Sequence, residues 1–194
     1  MALDLFSVQA PEDTRYDLPV YFLGEFMSSN HSFQAKKNLT PMGENDGYQH
    51  LWLEAEAELS SNIFQMTWYN QKNFYTITSA VQVGDQALLT RIGAKDPNFN
   101  LRRDPGLIHR RTGGNTLFAN VYEVHGHYDY DTEISVNSYS SIQSLEIIHE
   151  SEDHVAIQFE IKSGEKYQFA FSQNDHNQSS NHTIQTVDEQ LECY

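Results

Sequence analysis

Apolar and polar residues alternate with a period of two along most of the chain, the spacing of a half-buried strand whose successive side chains face opposite ways. Between Leu51 and Leu59 the odd positions read Leu, Leu, Ala, Ala, Leu, and the even positions Trp, Glu, Glu, Glu. Ala, Glu and Leu are good helix formers, yet strict alternation outweighs propensity, and the segment is assigned as a strand. The same alternation recurs in Ile63–Tyr69 and Phe74–Val83, rich in Thr, Ile, Val, Tyr and Phe. His154–Ile161 and the Tyr167, Phe169, Phe171 series flank Ser163-Gly164-Glu165 and predict a hairpin. Further strands are expected at Leu3–Gln9, Val20–Phe26, Ala87–Ile92, Gly106–Arg111, Thr116–Val124, Ser144–His149, His182–Val187 and Gln190–Tyr194.

Turn signals separate these runs: Asn70-Gln71-Lys72-Asn73, Val83-Gly84-Asp85, Thr112-Gly113-Gly114-Asn115 and the polar run Ser172–Asn181. No stretch of helical length shows a 3.6-residue period. About eleven short strands with close turns predict an all-β fold, an antiparallel β-sandwich, with residues 1–194 as a single domain. The loops Ser28–Tyr48 and Asn174–Asn181 are the segments expected to move most.

Composition narrows the class. Twelve Lys+Arg against 27 Asp+Glu give a net charge of −15. That balance argues against nucleic acid as a partner, because such binding needs a basic face that releases counterions. It argues equally against an anionic membrane surface, and no run of about 18 apolar residues predicts a spanning helix. Eleven Tyr and 11 Phe supply enough packing material for a core. The single cysteine, Cys193, excludes an internal disulfide.

Two regions carry candidate chemistry. The first is a charge island: Arg91, Lys95, Arg102, Arg103, Arg110 and Arg111 oppose only Asp96 and Asp104, giving +4 over residues 91–111 against −7 before them and −12 after. The planar arginine fork binds carboxylate, sulfate or phosphate bidentately, so Asn98, Asn100, Arg102, Arg103, Arg110, Arg111 and, farther on, His125 are candidate contacts to an anionic ligand. The competing reading is that these arginines pair with the surplus carboxylates and serve the fold. The second region is Glu123-Val124-His125-Gly126-His127-Tyr128-Asp129-Tyr130-Asp131, where five successive odd positions carry potential ligands. On a regular strand residues i and i+2 share a face about 6.6 Å apart. His125, His127 and Asp129 are therefore candidate zinc ligands, although Gly126 interrupts the strand and the default expectation is no cofactor. There is no nucleophile elbow, phosphate-binding glycine loop or His-Glu-x-x-His motif. The tyrosines and tryptophans, among them Trp52, Trp68, Tyr69, Tyr75, Tyr122, Tyr128 and Tyr130, could stack on sugar rings, but more often such residues pack between sheets or along strand pairs.

The run Tyr16-Asp17-Leu18-Pro19-Val20-Tyr21-Phe22-Leu23-Gly24-Glu25-Phe26 resembles a segment of heparinase II/III-like polysaccharide lyases, above all the oligoalginate lyases. So do Arg91-Ile92-Gly93-Ala94 with Asp96–Arg102, and Phe118–Val124 followed by His125-Gly126. The resemblance implies an N-terminal α/α toroid joined to a β-sandwich, a cleft between them, and cleavage of uronate polysaccharides by β-elimination. It implies a periplasmic or secreted setting. This chain resembles only the later part of the β-domain and lacks the catalytic toroid, so no catalytic residue is carried over. Three readings stand at this point: an accessory sandwich of a lyase, not catalytic alone; a free-standing module binding acidic sugars; and a small metal-binding sandwich.

Overall fold

The computed structural model describes residues 1–11, 13–93 and 103–173, together with the backbone of 182–185 and 190–193. The strands in chain order are β1 (Ala2–Val8), β2 (Thr14–Tyr21), β3 (Glu25–Ser29), β4 (Gln34–Ala35), β5 (Leu51–Glu58), β6 (Ile63–Asn70), β7 (Asn73–Ala80) and β8 (Gln86–Ile92). They continue with β9 (Asp104–Gly113), β10 (Thr116–Asp129), β11 (Ile134–Val136), β12 (Ile142–Glu150), β13 (His154–Ile161), β14 (Lys166–Ser172), β15 (His182–Gln185) and β16 (Gln190–Cys193). The only helical turn among the described residues is the 3-10 turn Tyr48–His50. The fold is all-β and antiparallel, as the alternation predicts.

Three sheets stack as layers. The central one runs β1-β10-β7-β6-β3, with β11 beside β10. A second sheet, β2-β9-β8-β5-β4, covers one face, and β12-β13-β14 covers part of the other. Phe64, Met66, Trp68 and Ile77 from the central sheet bury against Ala87 and Leu107 of the second. From the opposite face, Ala80, Ala119 and Val121 pack on Ile142, Leu145, Ile157 and Phe159 of the third. A central layer buried on both sides explains why Thr116–Val121 is continuously buried rather than alternating.

Two local features differ from the sequence expectation. The single strand expected at Val20–Phe26 is two strands in different sheets: β2 pairs with β9, and β3 with β6. The crossing is anchored by Phe22, whose ring lies 5.0 Å from that of Trp68. Gly24, at φ +109, makes the corner, and a Cβ there would lie 2.0 Å from the Tyr69 carbonyl oxygen. Conversely, the Asn70–Asn73 turn is a tight hairpin as expected, with Gln71 at φ 48 and Lys72 at φ 82.

Candidate functional site

Most of the described arginine island is occupied by carboxylates. Arg110 donates through Nε and Nη2 to the two oxygens of Asp17, each at 2.7 Å, while the Tyr48 hydroxyl donates to Asp17 Oδ2. Burial pushes the Asp17 carboxyl up, but these donors outweigh it and hold its pKa below the usual range. Arg91 pairs with Glu54. Arg111 is 3% exposed and lies between the central and second sheets. Its guanidinium donates to Asp85 Oδ1 at 2.8 Å and Oδ2 at 2.6 Å, and to the carbonyls of Leu117 and Ala80. His109 Nε2 donates to the same Asp85 at 2.7 Å. Arg110 and Arg111 therefore do not present free forks to a ligand: strand alternation sends Arg111 inward to Asp85 and Arg110 outward to Asp17. Arg103 is exposed; Asn98, Asn100 and Arg102 lie outside the described residues.

The His125, His127, Asp129 set is not assembled. Among the described residues no group of three or more His, Cys, Asp or Glu side chains is placed to hold a metal ion. The cause is a β-bulge: His125 pairs with Phe74 and His127 with Asn73, leaving Gly126 as the extra residue. One inserted residue reverses the parity of every side chain beyond it, so His125 and His127 face opposite ways. Both ring nitrogens of His125 are also engaged. Nδ1 donates to the Asn137 carbonyl at 2.7 Å, and Nε2 lies 2.8 Å from Thr76 Oγ1. Glu123 is buried at 6% exposure and accepts hydrogen bonds from Ser140 and Ser141, which fixes the approach to β12.

The same bulge builds something the alternation concealed. Beyond Gly126 the even positions turn to the face carrying Tyr69, so Tyr128 meets Tyr69 edge-on at 6.4 Å, and Tyr130 meets Tyr128 at 5.1 Å and 88°. The Tyr69 and Tyr130 hydroxyls are 2.6 Å apart. That bond pushes the Tyr69 hydroxyl up. The Lys72 ammonium sits 5.8 Å above the Tyr130 ring. Lys72, His127, Tyr128, Asp129, Tyr130 and Asp131 line a cleft of about 300 Å³. A larger depression of about 710 Å³ between β1 and β14 is lined by uncharged groups, including Leu3, Leu5, Phe169 and Phe171, and offers no acid or base.

A general acid or base works best with a pKa near the operating pH. Every described carboxyl or phenol with a displaced pKa is displaced away from neutrality. Asp85 is held at about 2, Asp17 and Asp129 lie low, Tyr48 and Tyr69 lie high, and burial with help from Asp4 pushes Tyr122 up to about 12.

No protein-family model matches the chain. It is similar to an exo-oligoalginate lyase of Saccharophagus degradans, 31% identical over 197 residues, which cover 99% of this chain and 26% of that protein. It is also similar to an alginate lyase of Stenotrophomonas maltophilia, 33% identical over 190 residues, covering 97% of this chain and 25% of that protein. The chain is thus related to alginate lyases over nearly its whole length and spans about a quarter of the length of these curated relatives.

Proposed function

We propose that this sequence is the accessory β-sandwich of an alginate lyase, not catalytic by itself, acting together with a larger catalytic portion. The observation that carries the reading is the asymmetry of the matches: nearly all of this chain aligns with only about a quarter of each relative. Two structural features support it. Arg110, Arg111 and Asp85 are committed to buried or half-buried pairs, and the displaced carboxyls and phenols stand away from neutrality, which suits a scaffold better than a proton-transfer site. Around the β2–β3 corner, Tyr21, Leu23, Phe26 and Met27 are exposed, Leu23 by 63%. Such an apolar run fits a seam with the remainder of a longer polypeptide. The finer placement among heparinase II/III-like lyases, with an α/α toroid as that remainder, follows from the sequence resemblance at Tyr16–Phe26 and Phe118–Gly126.

The test is a β-elimination assay. Purified chain is incubated with oligoalginate, and the new C4–C5 double bond is followed by ultraviolet absorbance. No rate is expected from the chain alone, and a rate is expected from the longer polypeptide that contains it. A sustained rate from the chain alone overturns the accessory role.

A further inference from the structure

The cleft at the bulged end of β10 has the parts of a sugar subsite, and its tyrosines lie outside the two buried clusters that join the layers. Tyr130 is 58% exposed although its hydroxyl is tied to Tyr69, its ring meets Tyr128 edge-to-face and the Lys72 ammonium lies over it, so the ring is held in place while more than half of its surface stays open. An immobilised aromatic face is what a pyranose ring stacks on, since little side-chain entropy remains to be lost. The cleft, about 300 Å³, sits at the small end of ligand pockets and suits one ring.

Lys72 is fixed by its backbone as well. It occupies a left-handed conformation, φ 82, at a hairpin position where Gly or Asn is preferred, and its carbonyl accepts from the Tyr128 N–H at 2.9 Å. The strained tip is thus clamped to β10 with the ammonium over Tyr130. Of the carboxylates lining the cleft, Asp129 is already engaged: Oδ1 accepts from the Asp131 N–H and Oδ2 from Thr132 Oγ1. Asp131 lies at the exposed rim, where a carboxylate suits sugar hydroxyls, and Glu25 stands across from Tyr69 on β3. Lys72 supplies the ammonium among the lining residues, opposed by the carboxylates of Asp129 and Asp131, so a ligand carboxylate has its place on the Lys72 side of the cleft, away from those two groups.

We infer that this cleft is a subsite for one uronate residue of an acidic oligosaccharide, with the sugar ring on Tyr130 and its carboxylate on the Lys72 ammonium. The preference for an acidic over a neutral sugar rests on the alginate-lyase reading; the stacking platform does not.

The experiment is a titration of the ¹⁵N-labelled chain with an alginate trisaccharide, following the backbone amides of Lys72, Tyr128 and Tyr130 by NMR. Cellotriose serves as the neutral probe of equal length. Saturable shifts at these amides are expected with the alginate trisaccharide. Tyr130→Ala should bind about tenfold more weakly, equivalent to about 1.4 kcal/mol, whereas Tyr130→Phe, which keeps the ring, should bind nearly as wild type. Lys72→Gln should weaken binding and flatten its salt dependence. Unchanged melting temperatures keep the exposed-site variants interpretable. Absence of shifts at these amides, or affinity indifferent to Tyr130→Ala, overturns the subsite. Equal affinity for cellotriose overturns the uronate assignment. The double-bond assay judges the lyase reading separately, since it requires no binding at this cleft.

Discussion

Asp85 shows how one buried carboxylate organises its surroundings. It is 0% exposed and receives the Arg111 fork, His109 and the Gln82 N–H. Arg111 in turn lies 4.5 Å over the Phe118 ring and satisfies two carbonyls, so the pair ties β9, β10 and the β7–β8 turn together. Burial alone would raise the Asp85 pKa, but its donors reverse this and hold it at about 2. A folded pKa below the unfolded value of about 3.9 means stability present above about pH 4 and lost as pH falls through about 2, worth roughly 2–3 kcal/mol. Acid unfolding curves should therefore steepen in that window, and Asp85→Asn should flatten them. Arg111→Met is expected to cost about 3–5 kcal/mol, because it strands the carboxylate without its main partner. Urea denaturation checks the loss; a cost below about 1 kcal/mol would show that Asp85 tolerates burial without that partner.

At the scale of elements, Gly126 decides which side chains β10 shows. It has φ +58, and a Cβ there would come within 2.2 Å of both the Val136 and Asn137 carbonyl oxygens. Gly126→Ala should cost about 3 kcal/mol through strain and collision. Gly164, at φ +90 with nothing within 4 Å, should lose only about 1 kcal/mol to alanine, from backbone strain alone. Equal losses at the two sites would show that the bulge is not held by close approach. The comparison also marks how far a period-two pattern can be read. Alternation found Leu51–Leu59, the Ile63–Val83 hairpin and the His154–Phe171 pair, because turn residues delimit them and one face is apolar. It missed the exchange of sheets at Phe22 and Gly24, because Val20–Leu23 is an unbroken apolar and aromatic run and Gly24 alone marks the corner before Glu25. It also put His125, His127 and Asp129 on one face, since the register slip depends on tertiary pairing with β7. Gly126 was the available signal for Tyr128 and Tyr130, and the arginine partners Asp17 and Asp85 are too distant in sequence to be read as such.

For the whole molecule the dominant long-range quantity is charge. Twenty-seven carboxylates face 12 basic side chains, so even complete pairing leaves −15 uncompensated at pH 7. Self-repulsion of that size opposes compaction, and salt should relieve it, since the screening length falls from about 30 Å at 0.01 M to about 8 Å at 0.15 M. The buried Asp85–Arg111 and half-buried Asp17–Arg110 pairs are sheltered from this screening, so added salt removes repulsion without dissolving the attractions that matter. The melting temperature should therefore rise with sodium chloride at pH 7, by a few degrees for about 1 kcal/mol in a domain of this size. Lowering the pH from 7 toward the pI of about 4.8 should act in the same direction, before the Asp85 window reverses the trend below about pH 4. A melting temperature that falls with salt would mean that half-buried surface pairs such as Lys36–Glu56 and Arg91–Glu54 outweigh the net repulsion, which their partial contact with solvent argues against.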